Sequence, residues 1–136
     1  MSRGMRKRMN EAAVYDTRFF IELYNTKNEI IKKKASEERQ RKKRYVSAIV
    51  IHELFKYSLS LEGREIAELK IALLKDAFDV VSVDSQIAQV SAELRHKYKL
   101  SMGDSMIAAT AASLGAVCIT DDPHFRQVKE IKTEWI

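Results

Sequence analysis

The chain has 136 residues, 46% of them apolar and 32% charged, a composition that fits one globular domain with its own core and excludes disorder. Glycine and proline together number only five, about 4% against a usual rough 12%, which disfavours a turn-dense β-sandwich or barrel. The net charge of +5 is unevenly placed: residues 1–8 carry +4, residues 27–44 carry +6, and the remainder carries −5.

In chain order, residues 1–11 are polar and basic without periodicity and read as a flexible arm, with Met5 and Met9 as alternative starts. Residues 12–136 then read as a single domain. Ala12-Ala13-Val14-Tyr15 is a short apolar run ending at Asp16-Thr17 and predicts a buried strand. Phe19, Phe20, Leu23 and Tyr24 recur at helical spacing over 17–26. The tract 27–44 is helical by propensity, with Glu29 to Lys33, Glu37 to Arg41 and Glu38 to Lys42 spaced as favourable i,i+4 pairs. Tyr45-Val46-Ser47 predicts a second strand, and Ser47 can cap a helix over 48–60. Gly63 separates it from a further helix over 64–77. A third strand is predicted over 80–83, followed by Asp84 or Ser85 as the cap of a helix over 85–98. Gly103-Asp104 opens a helix over 104–114 that Gly115 closes. A fourth strand is predicted over 116–119, and a fifth falls within 128–136.

Short apolar strands alternating with helices imply βαβ crossovers. The expected architecture is a three-layer α/β/α sandwich around a central, mostly parallel sheet. Several chemistries drop out. The glycines Gly4, Gly63, Gly103 and Gly115 are too scattered for a Walker loop or a dinucleotide fingerprint. The lone Cys118 and three isolated histidines, His52, His96 and His124, exclude an intrachain disulfide framework and the usual structural zinc spacings. Cys118 sits in the run Ala116-Val117-Cys118-Ile119 and reads as a buried thiol, which points to a reducing compartment. No apolar stretch approaches the roughly 18 residues of a membrane span. Glu11, Asp16 and Glu22 interrupt the chain before any signal-peptide apolar region. The expectation is a soluble, cytoplasmic protein without a membrane partner.

Function in such a sheet belongs beyond the carboxyl ends of the strands. The first strand runs into Asp16, and the fourth runs through Thr120 into Asp121-Asp122. Glu53 lies among Ile49, Val50, Ile51, Leu54 and Phe55, an odd setting for an acid. Asp104 begins a helix that continues almost wholly in small residues. Singly, each has an ordinary structural role: Asp104 and Asp16 as helix caps, Glu53 on a solvated face, Asp121-Asp122-Pro123 as a turn. Jointly, four acids converging on one pocket require a cation, because close carboxylates raise one another's pKa. An oxygen-only site selects Mg²⁺ or Mn²⁺.

The strand ending in Asp16-Thr17, the helix bearing Glu53, Asp104-Ser105-x-Ile107-Ala108-Ala109-Thr110-Ala111 and Ile119-Thr120-x-Asp122-x-x-Phe125 together resemble a PIN domain, more narrowly the small VapC-type toxin nucleases. The resemblance spans roughly 12–131. It implies a metal-dependent endoribonuclease that hydrolyses RNA phosphodiester bonds, using Mg²⁺ or Mn²⁺, often as a homodimer and neutralised by an antitoxin protein. Asp16, Glu53, Asp104 and Asp122 match the acidic metal-site and catalytic positions, and Thr120 the hydroxyl beside the last. Asp16, Asp104 and Asp122 are then candidates for direct ligands, and Glu53 for holding a metal-bound water or acting as general base. There are two departures. Asp121 doubles the final acid, with the T-x-D-x-x-F spacing favouring Asp122. Arg18 stands after Asp16-Thr17, where a small polar residue is usual, and could touch phosphate.

An acidic pocket repels RNA, so a nuclease needs basic surroundings. Lys32, Lys33, Lys34, Arg39, Arg41, Lys42, Lys43 and Arg44 are the candidates, against the alternative of a solvated helix held by its own ion pairs. Phe19, Phe20 and Tyr24 are candidates for an apolar groove that receives the antitoxin. The histidines are expected to be structural, His52 about 100° around its helix from Glu53, and Tyr57 to pack in the core. A non-catalytic RNA-binding module on the same fold, or a nuclease of RNA processing, is the alternative. A receiver domain or a dehalogenase-type phosphatase is disfavoured, since Asp16-Thr17-Arg18 supplies neither an acidic pair nor Asp-x-Asp.

Overall fold

Five short parallel strands carry the molecule. In the computed structural model, which describes residues 1–136, they are β1 (Ala13–Tyr15), β2 (Arg44–Ser47), β3 (Asp79–Val81), β4 (Val117–Ile119) and β5 (Thr133–Glu134). Their spatial order is β3-β2-β1-β4-β5. The chain therefore starts at the centre, steps outward through β2 to β3, then crosses back to the other side of β1. This reversal makes the gap between β1 and β4 the topological switch point, where loops leave the sheet in opposite directions and open a crevice. All three β1 side chains are fully buried.

Helices α1 (Arg3–Asn10), α2 (Thr17–Asn25), α3 (Glu29–Glu37), α4 (Ala48–Glu62), α5 (Arg64–Ala77), α6 (Ser85–Tyr98), α7 (Met102–Leu114) and α8 (Pro123–Arg126) complete the α/β/α sandwich. Their ends follow local chemistry. Ser47 accepts the Ile49 amide at 3.3 Å, and Asp84 accepts that of Ile87 at 2.9 Å, each capping its helix. Gly115 takes φ 59°, the left-handed C′ geometry that ends α7. The inner face of α7 presents Ala108, Ala109 and Ala111 with no exposed area. Small residues let that helix sit close under β1 and β2.

Three expectations are corrected. Residues 1–11 are not a featureless arm: 3–10 form α1, with Met9 buried and its carbonyl accepting the Lys42 amide at 3.0 Å. The third strand spans Asp79–Val81 rather than 80–83, because its partner β2 ends at Ser47, opposite Val81. Most of all, 27–44 is not one helix. It breaks after α3 into a single 3₁₀ turn, Glu38–Gln40, and enters β2 at Arg44.

The break has a tertiary cause. Glu38 Oε1 accepts the Tyr15 hydroxyl and the Arg41 Nε–H, both at 3.0 Å. Arg41 Nη1 donates to the carbonyls of Arg8 at 2.7 Å and Glu11 at 3.2 Å, while Nη2 reaches Glu134 at 3.5 Å. The Arg41 side chain has no exposed area at all. Where the chain leaves the helix, Arg41 turns inward to Glu38, Glu134 and the carbonyls of Arg8 and Glu11 instead of forming the expected Glu37 pair. Phe19 and Phe20 are also fully buried, stacked with Tyr15 and Phe78, so they belong to the core and line no groove.

Candidate active site

The strand ends deliver the acids. Beyond β1, Asp16 caps α2 through Oδ1, which accepts the Phe19 amide at 3.1 Å. Its Oδ2 accepts the hydroxyl of Thr120, the residue that follows β4. Thr120 in turn accepts the Asp122 amide at 3.1 Å. One hydroxyl thus ties together both strand ends that border the switch point.

Glu53 reaches this region from α4. Its Oε1 accepts the Thr17 hydroxyl at 2.7 Å, and a Cβ built on Gly103 would stand 2.7 Å from its Oε2. Glu53 therefore lies directly against the first turn of α7, where a side chain on residue 103 would have to displace its carboxylate. Ser101 caps that turn by accepting the Asp104 amide at 3.1 Å, and the helix N-terminus favours the Asp104 carboxylate. Asp122 caps α8: its Oδ1 accepts the His124 amide at 2.9 Å and lies 2.7 Å from His124 Nδ1. Asp121 turns the other way, into a two-point ion pair with Arg18 at 3.1 Å for both contacts.

The acids feel one another. Asp16, only 3% exposed, has its pKa pushed up to about 6 by burial, with the Asp121 and Asp104 charges adding and the Thr120 and Phe19 hydrogen bonds opposing. Asp104 is raised by burial and by the Asp122 carboxylate, then by Glu53; Ser101 and His124 pull the other way. Burial and the same two charges, Asp16 and Asp104, push the Cys118 thiol up, which marks it as an inert core residue.

The four predicted acids and Thr120, Thr17, Arg18 and Asp121 therefore share one neighbourhood. No three metal-binding side chains surround a common point in this arrangement. Three of the carboxylates accept from different donors, Asp16 from Thr120 and the Phe19 amide, Glu53 from Thr17, and Asp122 from the His124 amide. The sequence reading missed Gly103 as the cradle of Glu53. It also set His124 aside, although its position two residues after a capping aspartate was a usable signal. His52 and Tyr57 are not remote either: with Glu53, Lys56, Ser60 and Leu61 they line a groove of about 500 Å³ along α4.

Two of the predicted RNA-binding cations are structural. Arg41 is buried, and Arg44 donates to the carbonyls of Arg39, Arg41 and Ala77. Lys32, Lys33, Lys34, Arg39, Lys42 and Lys43 are exposed.

No curated protein matches the sequence. Among solved structures, the DNA-bound VapBC2 complex of Rickettsia felis aligns with a TM-score of 0.77 at 16% identity, covering 91% of this chain and 98% of that one. The DNA-bound VapBC of Salmonella typhimurium gives 0.77 at 22% identity, with 92% and 98% covered. VapC20 of Mycobacterium tuberculosis, a toxin that cleaves the sarcin-ricin loop, gives 0.74 at 17% identity, with 87% and 95% covered. The model of the PIN domain matches residues 13–131, from the first residue of β1 to just short of β5. That span holds Asp16, Glu53, Asp104, Asp121 and Asp122, and the chain belongs to the PIN domain family.

Proposed function

We propose that this protein is a divalent-metal-dependent endoribonuclease and the toxin of a toxin–antitoxin pair, cytoplasmic and homodimeric, with Asp16, Glu53, Asp104 and Asp122 as the residues that hold Mg²⁺ or Mn²⁺. The observation that carries this reading is electrostatic. Buried Asp16 and half-buried Asp104 are raised first by burial and then by neighbouring carboxylates, Asp121 and Asp104 acting on the one and Asp122 and Glu53 on the other. A hard, oxygen-only donor set with clustered negative charge fits those ions. When bound, such a cation lowers the pKa of an attacking water and stabilises the charge that builds on the phosphate.

The chain's own residues do the positioning. Thr120 holds Asp16 across the switch point, Thr17 and Gly103 confine Glu53 from two sides, and the first turn of α8 orients Asp122. Asp122 rather than Asp121 serves the cation, since Arg18 already neutralises Asp121. Exposed Lys32, Lys33, Lys34 and Arg39 offset repulsion between the acids and RNA. The solved relatives VapBC2 and VapBC are toxin–antitoxin complexes, and VapC20 cleaves an RNA loop. An antitoxin segment would lie in the α4 groove that leads from Glu53 past Tyr57 to exposed Leu61.

The test is incubation of the chain with a cellular RNA pool under Mg²⁺ or Mn²⁺, and under EDTA, beside Asp104→Asn. Cleavage that needs the metal and disappears in the variant is the expected result. Full activity in Asp104→Asn, or in EDTA, overturns the reading.

A further inference from the structure

Helix α1 lies outside the region matched by the PIN domain model, which begins at residue 13. It is nevertheless built into the fold. Arg41, itself without exposed area, donates from Nη1 to the carbonyls of Arg8 at 2.7 Å and Glu11 at 3.2 Å. Lys42 donates its amide to the Met9 carbonyl at 3.0 Å, and Met9 is 3% exposed.

Docked in this way, α1 turns one face to solvent. Arg3, Arg6, Lys7 and Asn10 follow i, i+3, i+4, i+7, the spacing of a single helix face, and all four are exposed. None of the three cations has a carboxylate partner, although nine lysine or arginine ion pairs form elsewhere in the molecule. Lys42 and Lys43 extend the charge at the helix's C-terminal end, and they too are exposed and unpaired. The Lys43 carbonyl accepts the Ala13 amide, which places this pole at the amino end of β1. The carboxylates of Asp16 and Asp122 lie beyond the opposite, carboxyl ends of the strands.

We infer that Arg3, Arg6, Lys7, Lys42 and Lys43 form a docking surface for the phosphate backbone of an RNA strand, separate from the acid cluster. The inference rests on the proposed ribonuclease function for its choice of RNA. Five unpaired cations on one rigid pole present the charge complement of a polyanion. The apolar side of α1 is already spent on the core through Met9, so the helix keeps no face to insert into a lipid surface. The arrangement holds RNA by its backbone at one end of the domain while the acids meet it at the other, which selects strands long enough to reach both.

The experiment uses the full chain carrying Asp104→Asn, so that RNA survives, and measures binding of a labelled single-stranded RNA across a salt series. The triple variant R3Q/R6Q/K7Q should bind about tenfold more weakly, and the slope of log affinity on log salt should drop by about 2, roughly 0.7 per lost contact. R3K/R6K should retain both. Unchanged affinity and slope in the triple variant overturns the inference. So does anionic phosphatidylserine vesicle binding without RNA binding, or tighter binding of duplex DNA than of RNA through these residues. Metal-dependent cleavage by the wild-type chain is scored separately: its absence alongside charge-dependent RNA binding removes the nuclease reading and leaves the surface standing.

Discussion

Gly103 and Glu53 touch so closely that a Cβ on the glycine would stand 2.7 Å from the glutamate Oε2. The clash in Gly103→Ala falls on the far end of a flexible side chain, so the fold should absorb it and alanine's helix propensity should hold or slightly raise the melting temperature. The site should not absorb it. Displacing Glu53 by about 1 Å should cost on the order of 100-fold in RNA cleavage. A paired melting curve and cleavage assay checks that the two quantities move apart.

Asp16 sets a pH dependence. Its pKa is raised from 3.8 to about 6 in the folded protein, so between these values the native state binds more protons than the unfolded state. Metal-free stability should therefore fall as pH rises from about 4 to about 6 and level off above, by up to about 3 kcal/mol. Asp16→Asn should flatten that slope. Urea titrations in EDTA at several pH values measure it directly.

The doubled acid after Thr120 separates by partner. Asp121 belongs to the Arg18 pair at the surface, and Asp121→Asn should shift stability by under about 1 kcal/mol while leaving cleavage near the wild-type rate. Asp122→Asn should lose more than the roughly 10–100-fold that a merely supporting residue is worth. Equal losses in both variants would remove the assignment of Asp122.

Arg41 is predicted to be a fold residue. Arg41→Ala leaves the buried Glu38 carboxylate with the Tyr15 hydroxyl but no guanidinium, and takes the same donor from the carbonyls of Arg8 and Glu11. The expected cost is about 3–5 kcal/mol. The double variant E38L/R41M should recover part of it, and kcat for RNA cleavage at saturating RNA, per folded molecule, should be unchanged in both, whereas RNA affinity follows the docking of α1. Chemical denaturation with an activity readout tests the pair.

What the sequence disclosed was local chemistry. Ser47, Asp84 and Gly115 mark helix ends because a cap depends on residues two to four positions away. Asp16 and Asp122 were legible for a related reason, since the end of a strand is local, whereas Glu53 and Asp104 come to the same region from helices α4 and α7. The break after α3 was hidden because the groups that cause it are distant in the chain, Tyr15 lying 23 residues from Glu38 and Arg8 lying 33 from Arg41. Helix α1 escaped because its apolar residues are only Met5 and Met9, too few to display a periodicity. Gly103 looked like a helix opener, since nothing in one dimension shows that Glu53 arrives beside it.

The Arg41 guanidinium joins parts of the chain that synthesis separates by most of its length. It holds carbonyls of Arg8 and Glu11 with one nitrogen and the Glu134 carboxylate with another, and Arg8, Glu134, Trp135 and Ile136 wall the same cavity of about 270 Å³. The first helix and the last strand are thus neighbours on one knot. A circularly permuted chain, with those two segments joined by a short glycine-serine bridge and new ends opened at the exposed Gly63 turn, should keep this knot intact. Clipping either the first eight or the final three residues should loosen the other end as well.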